Sequence, residues 1–381
     1  MSLMSHSAPQ RPPQFAGFLR FLRKATYGTI AAVLLLALVE GLLSFASVGR
    51  AIATKTIAFD PLTEVMVIHF DPDLGWSPTP GFRDTVTLGP ERPITIGAHG
   101  FRGARPVEPH APAGKVRALV CGDSFAFGTG VADDETWEME LERLDPRLET
   151  VNFGVGGYGL DQAWLRYRRD GASVEHRLVI VAFITEDLVR MVTPMPWGAD
   201  RPWLGITGDE LEVRNVPVIK SPHVLRSLRQ AGFFARELYL GKVIGRLAED
   251  DAASSAADDR EANMRQLTLR LIAEFAALAR QRGAHAVFVH LPIETERSGG
   301  TIDTLRNELA AKAAAVGADW IDLLAEFRAL SEADHARLFL HRPAAAAGHY
   351  DIAGTAFIGA LLHQKLQALP AVKQKLDAAP R

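Results

Sequence analysis

Between Val116 and Leu369 the chain alternates short apolar runs with longer segments of helical periodicity. The runs VRALVC (Val116–Cys121), ETVNF (Glu149–Phe153), RLVIVAF (Arg177–Phe183), HAVFVHL (His285–Leu291) and DWIDL (Asp319–Leu323) predict strands. RLVIVAF is almost continuously apolar, the mark of a strand buried on both faces. Helices are expected over Asp134–Leu144, Leu160–Asp170, Glu261–Gly283, Thr304–Val316 and Thr355–Leu369. In the first of these Trp137, Leu141 and Leu144 share one face and acids fill the first turn. Gly283 ends the long amphipathic helix. Strands separated by helices imply an α/β fold, a parallel sheet of about five strands covered on both faces.

Upstream the pattern changes. Residues 1–25 read as a cytoplasmic tail, of which Met1–Pro13 is polar, proline-containing and expected to be disordered. Thr26–Gly49 then carries a single charge, Glu40, and residues 26–50 are expected to cross a bilayer as one helix. Arg11, Arg20, Arg23 and Lys24 precede it, which puts that end in the cytoplasm and the remainder of the chain outside it. In a Gram-negative bacterium that means an inner-membrane protein with a periplasmic domain. The rival reading is a cleaved signal peptide with Ile30–Val39 as its apolar region and Ser44–Ala46 at the cleavage site. Residues 51–115, punctuated by Gly and Pro, read as a β-rich lead-in. Residues 116–370 form the main domain, interrupted by an insertion at 193–260. Within it Trp203–Val218 reads as a hairpin turning at Gly208-Asp209. Pro194–Trp203 reads as a cover for a site, and Ala248–Glu261 as a linker. Residues 371–381 read as a tail.

Composition narrows the function. A formal net charge of −3 gives no basic excess for nucleic acid. The single cysteine, Cys121, excludes a disulfide within the chain and a thiolate metal cluster. The histidines are scattered, with no His-x-x-x-His pair backed by carboxylates, so no metal is expected. No Gly-x-Gly-x-x-Gly opens a helix after a strand, so no dinucleotide cofactor is expected either.

The chemistry-bearing stretch is GDSFAFGTG (Gly122–Gly130). Gly-Asp-Ser alone arises by chance in roughly one chain in ten of this length. Its position says more. Ser124 follows a buried strand and precedes a helix, at the sheet edge where α/β active sites form and where helix N–H groups can meet a developing oxyanion.

GDSFAFGTGV resembles the first block of the SGNH (GDSL-type) hydrolases. VNFGVGGYG (Val151–Gly159) is similar to their second block and GHYDIAG (Gly348–Gly354) to their last. AHGFRG ahead of them resembles a membrane-anchored bacterial subset. The resemblance implies a flavodoxin-like SGNH hydrolase fold and a serine esterase or acyl (O-acetyl) hydrolase or transferase. Ser124 would be the nucleophile and His349 the general base, with the N–H groups of Ser124 and Gly157 in the oxyanion hole. The substrate implied is an ester-bearing small molecule or glycan outside the cytoplasm.

Two positions depart from the family. Glu186, in ITEDL, stands where an asparagine donor is usual, and an ionised glutamate cannot donate. Ala346 stands where the acid that orients the histidine is usual. Losing an oxyanion donor costs on the order of 10²–10³ in rate, and losing the orienting acid about 10⁴. The candidate replacements are Asp351, Asp322 or Asp334 for the acid, or a backbone carbonyl, and for the oxyanion-hole donor Thr185 or Glu186 itself, once its surroundings protonate it. Asp351 also stands where an N-cap of the closing helix is expected. The reading from another class is a degenerate domain that binds an envelope glycan or protein partner without catalysis. A third is a secreted lipase.

Overall fold

The computed structural model describes residues 13–51, 67–193, 200–208, 210–220, 252–342 and 346–378. Five strands, β1 (Val116–Gly122), β2 (Leu148–Asn152), β3 (Leu178–Phe183), β4 (His285–His290) and β5 (Asp319–Asp322), form one sheet. All are parallel, in the order β5-β4-β3-β1-β2. This is the flavodoxin-like order, and its direction reverses between β1 and β3. Every residue of β1, β2 and β3 is buried, which is why β1 and β3 are almost wholly apolar. The exception explains itself: Arg117 of β1 lies opposite Glu149 of β2 and meets it at 2.6 Å, and its other nitrogens donate to the carbonyls of Glu108 and His110.

Helix α1 (Pro13–Ala51) belongs to a separate unit from the sheet. Its stretch Gly17–Leu42 is long and apolar enough to cross a membrane. The Ser44 hydroxyl donates to the Glu40 carboxylate one turn away, which tempers the single acid in the apolar stretch.

In the sheet unit the short α2 (Ser124–Phe127) follows β1. Then come α3 (Trp137–Leu144), α4 (Leu160–Asp170), α5 (Thr185–Val192), α6 (Ala252–Gln281), α7 (Ile302–Ala315) and α8 (Ile352–Ala368). Helix α3 packs on α8, while α4, α5 and α7 pack on α6, so the sheet is flanked by helices. The Thr136 side chain accepts from Met139 N–H, and that cap starts α3 later than the acid-rich stretch predicts.

The lead-in contributes two antiparallel pairs, Ile68–Asp71 with Gly75–Pro78 and Arg83–Asp84 with Ile94–Thr95. The insertion forms the expected hairpin, Trp203–Thr207 against Glu210–Arg214. Three expectations are corrected. From Ala252 onward the supposed linker is the start of α6, because alanine-rich sequence propagates a helix once its amphipathic part is anchored. The supposed tail contains a helix, Pro370–Asp377, whose Val372 and Leu376 are buried. Proline at its first position and apolar residues four apart explain both its start and its docking. Residues 13–25, expected to belong to the N-terminal tail, are instead the first part of α1; the tail as far as residue 12, residues 194–199 of the supposed cover, and residues 248–251 lie outside the described residues.

Candidate active site

Strand β1 ends at Gly122, where a Cβ would come within 2.1 Å of the Ala182 carbonyl on β3. Only glycine lets the chain turn this close to its neighbour. Asp123 then caps α2, its Oδ1 accepting from Phe125 N–H at 2.8 Å. Ser124 therefore opens α2 at the carboxyl end of β1, beside the point where the strand order reverses.

His349 reaches this serine from 225 residues away. Its Nε2 lies 2.8 Å from Ser124 Oγ, and its Nδ1 lies 3.1 Å from the Ala346 carbonyl. A carbonyl only accepts, so Nδ1 carries the proton and Nε2 offers its lone pair to the serine hydroxyl. The backbone around the histidine is fixed by Leu340 N–H donating to the His349 carbonyl and Asp351 N–H donating to the Leu338 carbonyl. Phe125 packs against the imidazole at 4.7 Å, and Tyr350, anchored on the Pro292 carbonyl, meets Phe125 edge-on. Burial pushes the His349 pKa down; the Arg190 charge adds to this, while Asp123 and the Ala346 carbonyl oppose it. The ring is thus held neutral and ready to accept a proton.

Behind the serine lies a buried charge cluster. Arg190 Nη1 meets Asp123 Oδ2 at 3.1 Å, also donates to Asp187 Oδ1, and reaches the Tyr158 carbonyl at 3.0 Å. Burial and the neighbouring Asp123 hold the Asp187 carboxyl well above its usual range, against the pull of Arg190. Ser124 Oγ is 3.3 Å from Asp123 Oδ2, so the hydroxyl has two acceptors within reach but one proton to give. The guanidinium on Asp123 Oδ2 weakens that acceptor and favours His349.

The second glycine-rich loop comes alongside. Asn152 Nδ2 donates to the Ala126 carbonyl at 2.7 Å and to Glu138 Oε1 at 2.8 Å, tying the end of β2 to α2 and α3. Burial pushes Glu138 up to about 8. A Cβ on Gly156 would lie 4.0 Å from Ser124 Cβ. Gly157 follows with φ +78°, a left-handed backbone that glycine adopts without strain. Among the described residues neither Ser124 N–H nor Gly157 N–H has a hydrogen-bond acceptor.

The structure thus brings Ser124, His349 and the Gly156-Gly157 loop together. The proposed acid Asp351 does not orient the ring; its Oδ1 accepts from Gly354 N–H at 2.7 Å and caps α8. Asp322 instead engages Arg306 and Leu324 N–H, and Asp334 engages Ser331. The Thr185 hydroxyl donates to Glu296, so it is not turned to the serine. Glu186 sits in the first turn of α5 with its side chain exposed. The protein packed around its carboxyl, with Glu296 and Asp123 nearby, raises its pKa. Burial pushes the Cys121 thiol up to about 12, which leaves it inert. Among the described residues no cluster of His, Cys, Asp and Glu is arranged to hold a metal.

Sequence reasoning missed Arg190 and Trp76. Arg190 had a signal, its position three residues after Asp187 and four after Glu186 on one helix face. Trp76 had none: its indole Nε1–H donates to the Gly156 carbonyl at 2.9 Å across 80 residues.

No protein-family model matches the chain, and no curated protein sequence matches it. Solved structures are similar at low identity. A GDSL-like lipase from Bacteroides thetaiotaomicron is 13% identical over 66% of this chain and 89% of that one, with a TM-score of 0.36. A lipase/acylhydrolase from Enterococcus faecalis is 11% identical over 66% and 96%, with a TM-score of 0.38. An acetyl xylan esterase is 12% identical over 66% and 99%, also with a TM-score of 0.38.

Proposed function

We propose that this protein is a serine esterase or acyl hydrolase that works through an acyl-enzyme. The observation that carries the reading is the 2.8 Å contact between Ser124 Oγ and His349 Nε2, with Nδ1 on the Ala346 carbonyl. His349 takes the serine proton as Oγ attacks the ester carbonyl, then returns it to the leaving alcohol. Water or an acceptor hydroxyl, deprotonated in turn by His349, releases the acyl group. The unpartnered N–H groups of Ser124 and Gly157 are the donors available to the oxyanion. A backbone carbonyl fixes the tautomer as a carboxylate would. It adds no negative charge to stabilise the imidazolium, so turnover slower than that of a full triad is expected.

An acylated carbohydrate as substrate rests on the motif resemblance. Membrane anchoring through α1 with the sheet domain outside the cytoplasm rests on the apolar stretch and the basic residues before it. A non-catalytic binding role draws support from one feature, the exposed Glu186 where a donor would serve catalysis.

The deciding experiment treats the full-length chain in detergent micelles with a fluorophosphonate probe. Covalent labelling that disappears in Ser124→Ala and in His349→Ala is expected. Absence of Ser124-dependent labelling across the pH range in which the protein is folded overturns the esterase reading and favours the binding one.

A further inference from the structure

The lead-in supplies a residue that the motifs do not include. Trp76 is almost fully buried in the strand Gly75–Pro78, far upstream of the sheet. Its ring packs edge-on against Tyr158 with centroids 5.6 Å apart, and Tyr158 OH donates back to the Trp76 carbonyl at 2.5 Å. The indole is therefore fixed, and its Nε1–H donates to the Gly156 carbonyl at 2.9 Å.

Resting on the esterase reading above, we propose that Trp76 is the positioning residue of the oxyanion hole. The argument is geometric. A trans peptide is planar, with its C=O and N–H pointing in opposite directions. The Gly156 carbonyl and the Gly157 N–H belong to one such unit. Holding the carbonyl on the indole aims the N–H away from Trp76, in a loop that lies against the serine, where a Cβ on Gly156 would come 4.0 Å from Ser124 Cβ. Two consecutive glycines make this unit the softest in the loop, since neither has a Cβ to restrict its rotation. Without a partner the unit could turn and take the donor with it. The Trp76 bond fixes the plane before the substrate arrives, so no reorganisation is needed as negative charge develops. With Glu186 unable to donate while ionised, the Gly157 N–H carries more of that task.

The test separates the indole N–H from the bulk of the ring. Trp76 is replaced in the full-length chain by 3-benzothienylalanine, which keeps the shape and has sulfur where the N–H was. Trp76→Phe serves as a second variant. Hydrolysis of p-nitrophenyl acetate gives kcat and KM, and phenylboronic acid gives the affinity for a tetrahedral anionic adduct on Ser124. Loss of a whole oxyanion donor costs on the order of 10²–10³, and a donor that is mis-aimed but still present is expected to cost less, about 10-fold. Both variants are therefore expected to lose about 10-fold in kcat and in boronate affinity, with KM within about twofold of wild type. An isostere that matches wild type while Trp76→Phe is impaired means that the ring only fills space, and it overturns the inference. So does a change confined to KM. A wild-type chain whose Ser124 is not labelled by fluorophosphonate sinks the esterase reading and this inference with it. Labelling of wild type with an unimpaired isostere sinks the inference alone.

Discussion

Arg190→Gln tests the charge arrangement behind Ser124. The substitution removes the cation that Asp123 and Asp187 share and leaves two buried acids facing each other. A hydrogen bond from a charged group contributes about 1.5–3 kcal/mol. Removing one partner of a buried ion pair costs about 3–5 kcal/mol, because the charge left behind is unpaired. We therefore expect a loss of about 3–5 kcal/mol in unfolding free energy near pH 8, a large share of the 5–15 kcal/mol typical of a domain. The sign with pH follows from Asp187. Burial and Asp123 already hold its folded pKa above the ordinary 3.8, and losing Arg190 raises it further. A raised acid contributes stability that is fully present below its unfolded pKa and lost as pH rises through the folded value. The deficit should thus be smallest in acid and grow toward about pH 8. Urea unfolding of the full-length chain in detergent, followed by tryptophan fluorescence near pH 5 and near pH 8, measures it. Arg190→Lys should recover part of the loss by keeping the charge. Asp187→Asn combined with Arg190→Gln should recover part of it by removing one of the stranded acids. A deficit below about 1 kcal/mol near pH 8, or one that grows as the pH falls, would refute the reasoning.

Two further outcomes follow from the imidazole and its surroundings. Asp351→Ala should cost about 1 kcal/mol through the lost cap of α8. It should leave kcat on p-nitrophenyl acetate within about twofold; a loss approaching 10⁴ would mean that this carboxylate orients His349 after all. The acid limb of fluorophosphonate labelling should lie below the ordinary imidazole value of 6.5, because burial lowers the His349 pKa and the neutral ring is the active form. A limb above that value, followed as labelling rate against pH, contradicts the assignment of His349 as the base.

The strands were legible because a buried parallel strand writes its own apolar run, as Leu178–Phe183 does. Ser124 and His349 were legible through short motifs whose places relative to the strands force them to one sheet edge. What the sequence hid are contacts that exist only after distant segments meet. Trp76 finds Gly156 across 80 residues, and Arg190 finds Asp123 across 67. The orienting group for His349 was hidden for a different reason. Every residue has a carbonyl, so a backbone acceptor leaves no signature, and Ala346 reads as a vacancy where the chain still provides a partner. The two departures from the family pattern are therefore not equivalent. A missing acceptor can be made up by the main chain of whatever residue stands there. A missing side-chain donor at Glu186 is not made up in this way, since an ionised carboxylate offers no proton to a neighbouring anion. On the esterase reading, the burden of the second departure falls on the N–H groups of Ser124 and Gly157. The first of these is fixed by the start of α2, with Asp123 as its cap. The second sits on a glycine pair, and the Trp76 indole donates to the carbonyl of the peptide that joins that pair.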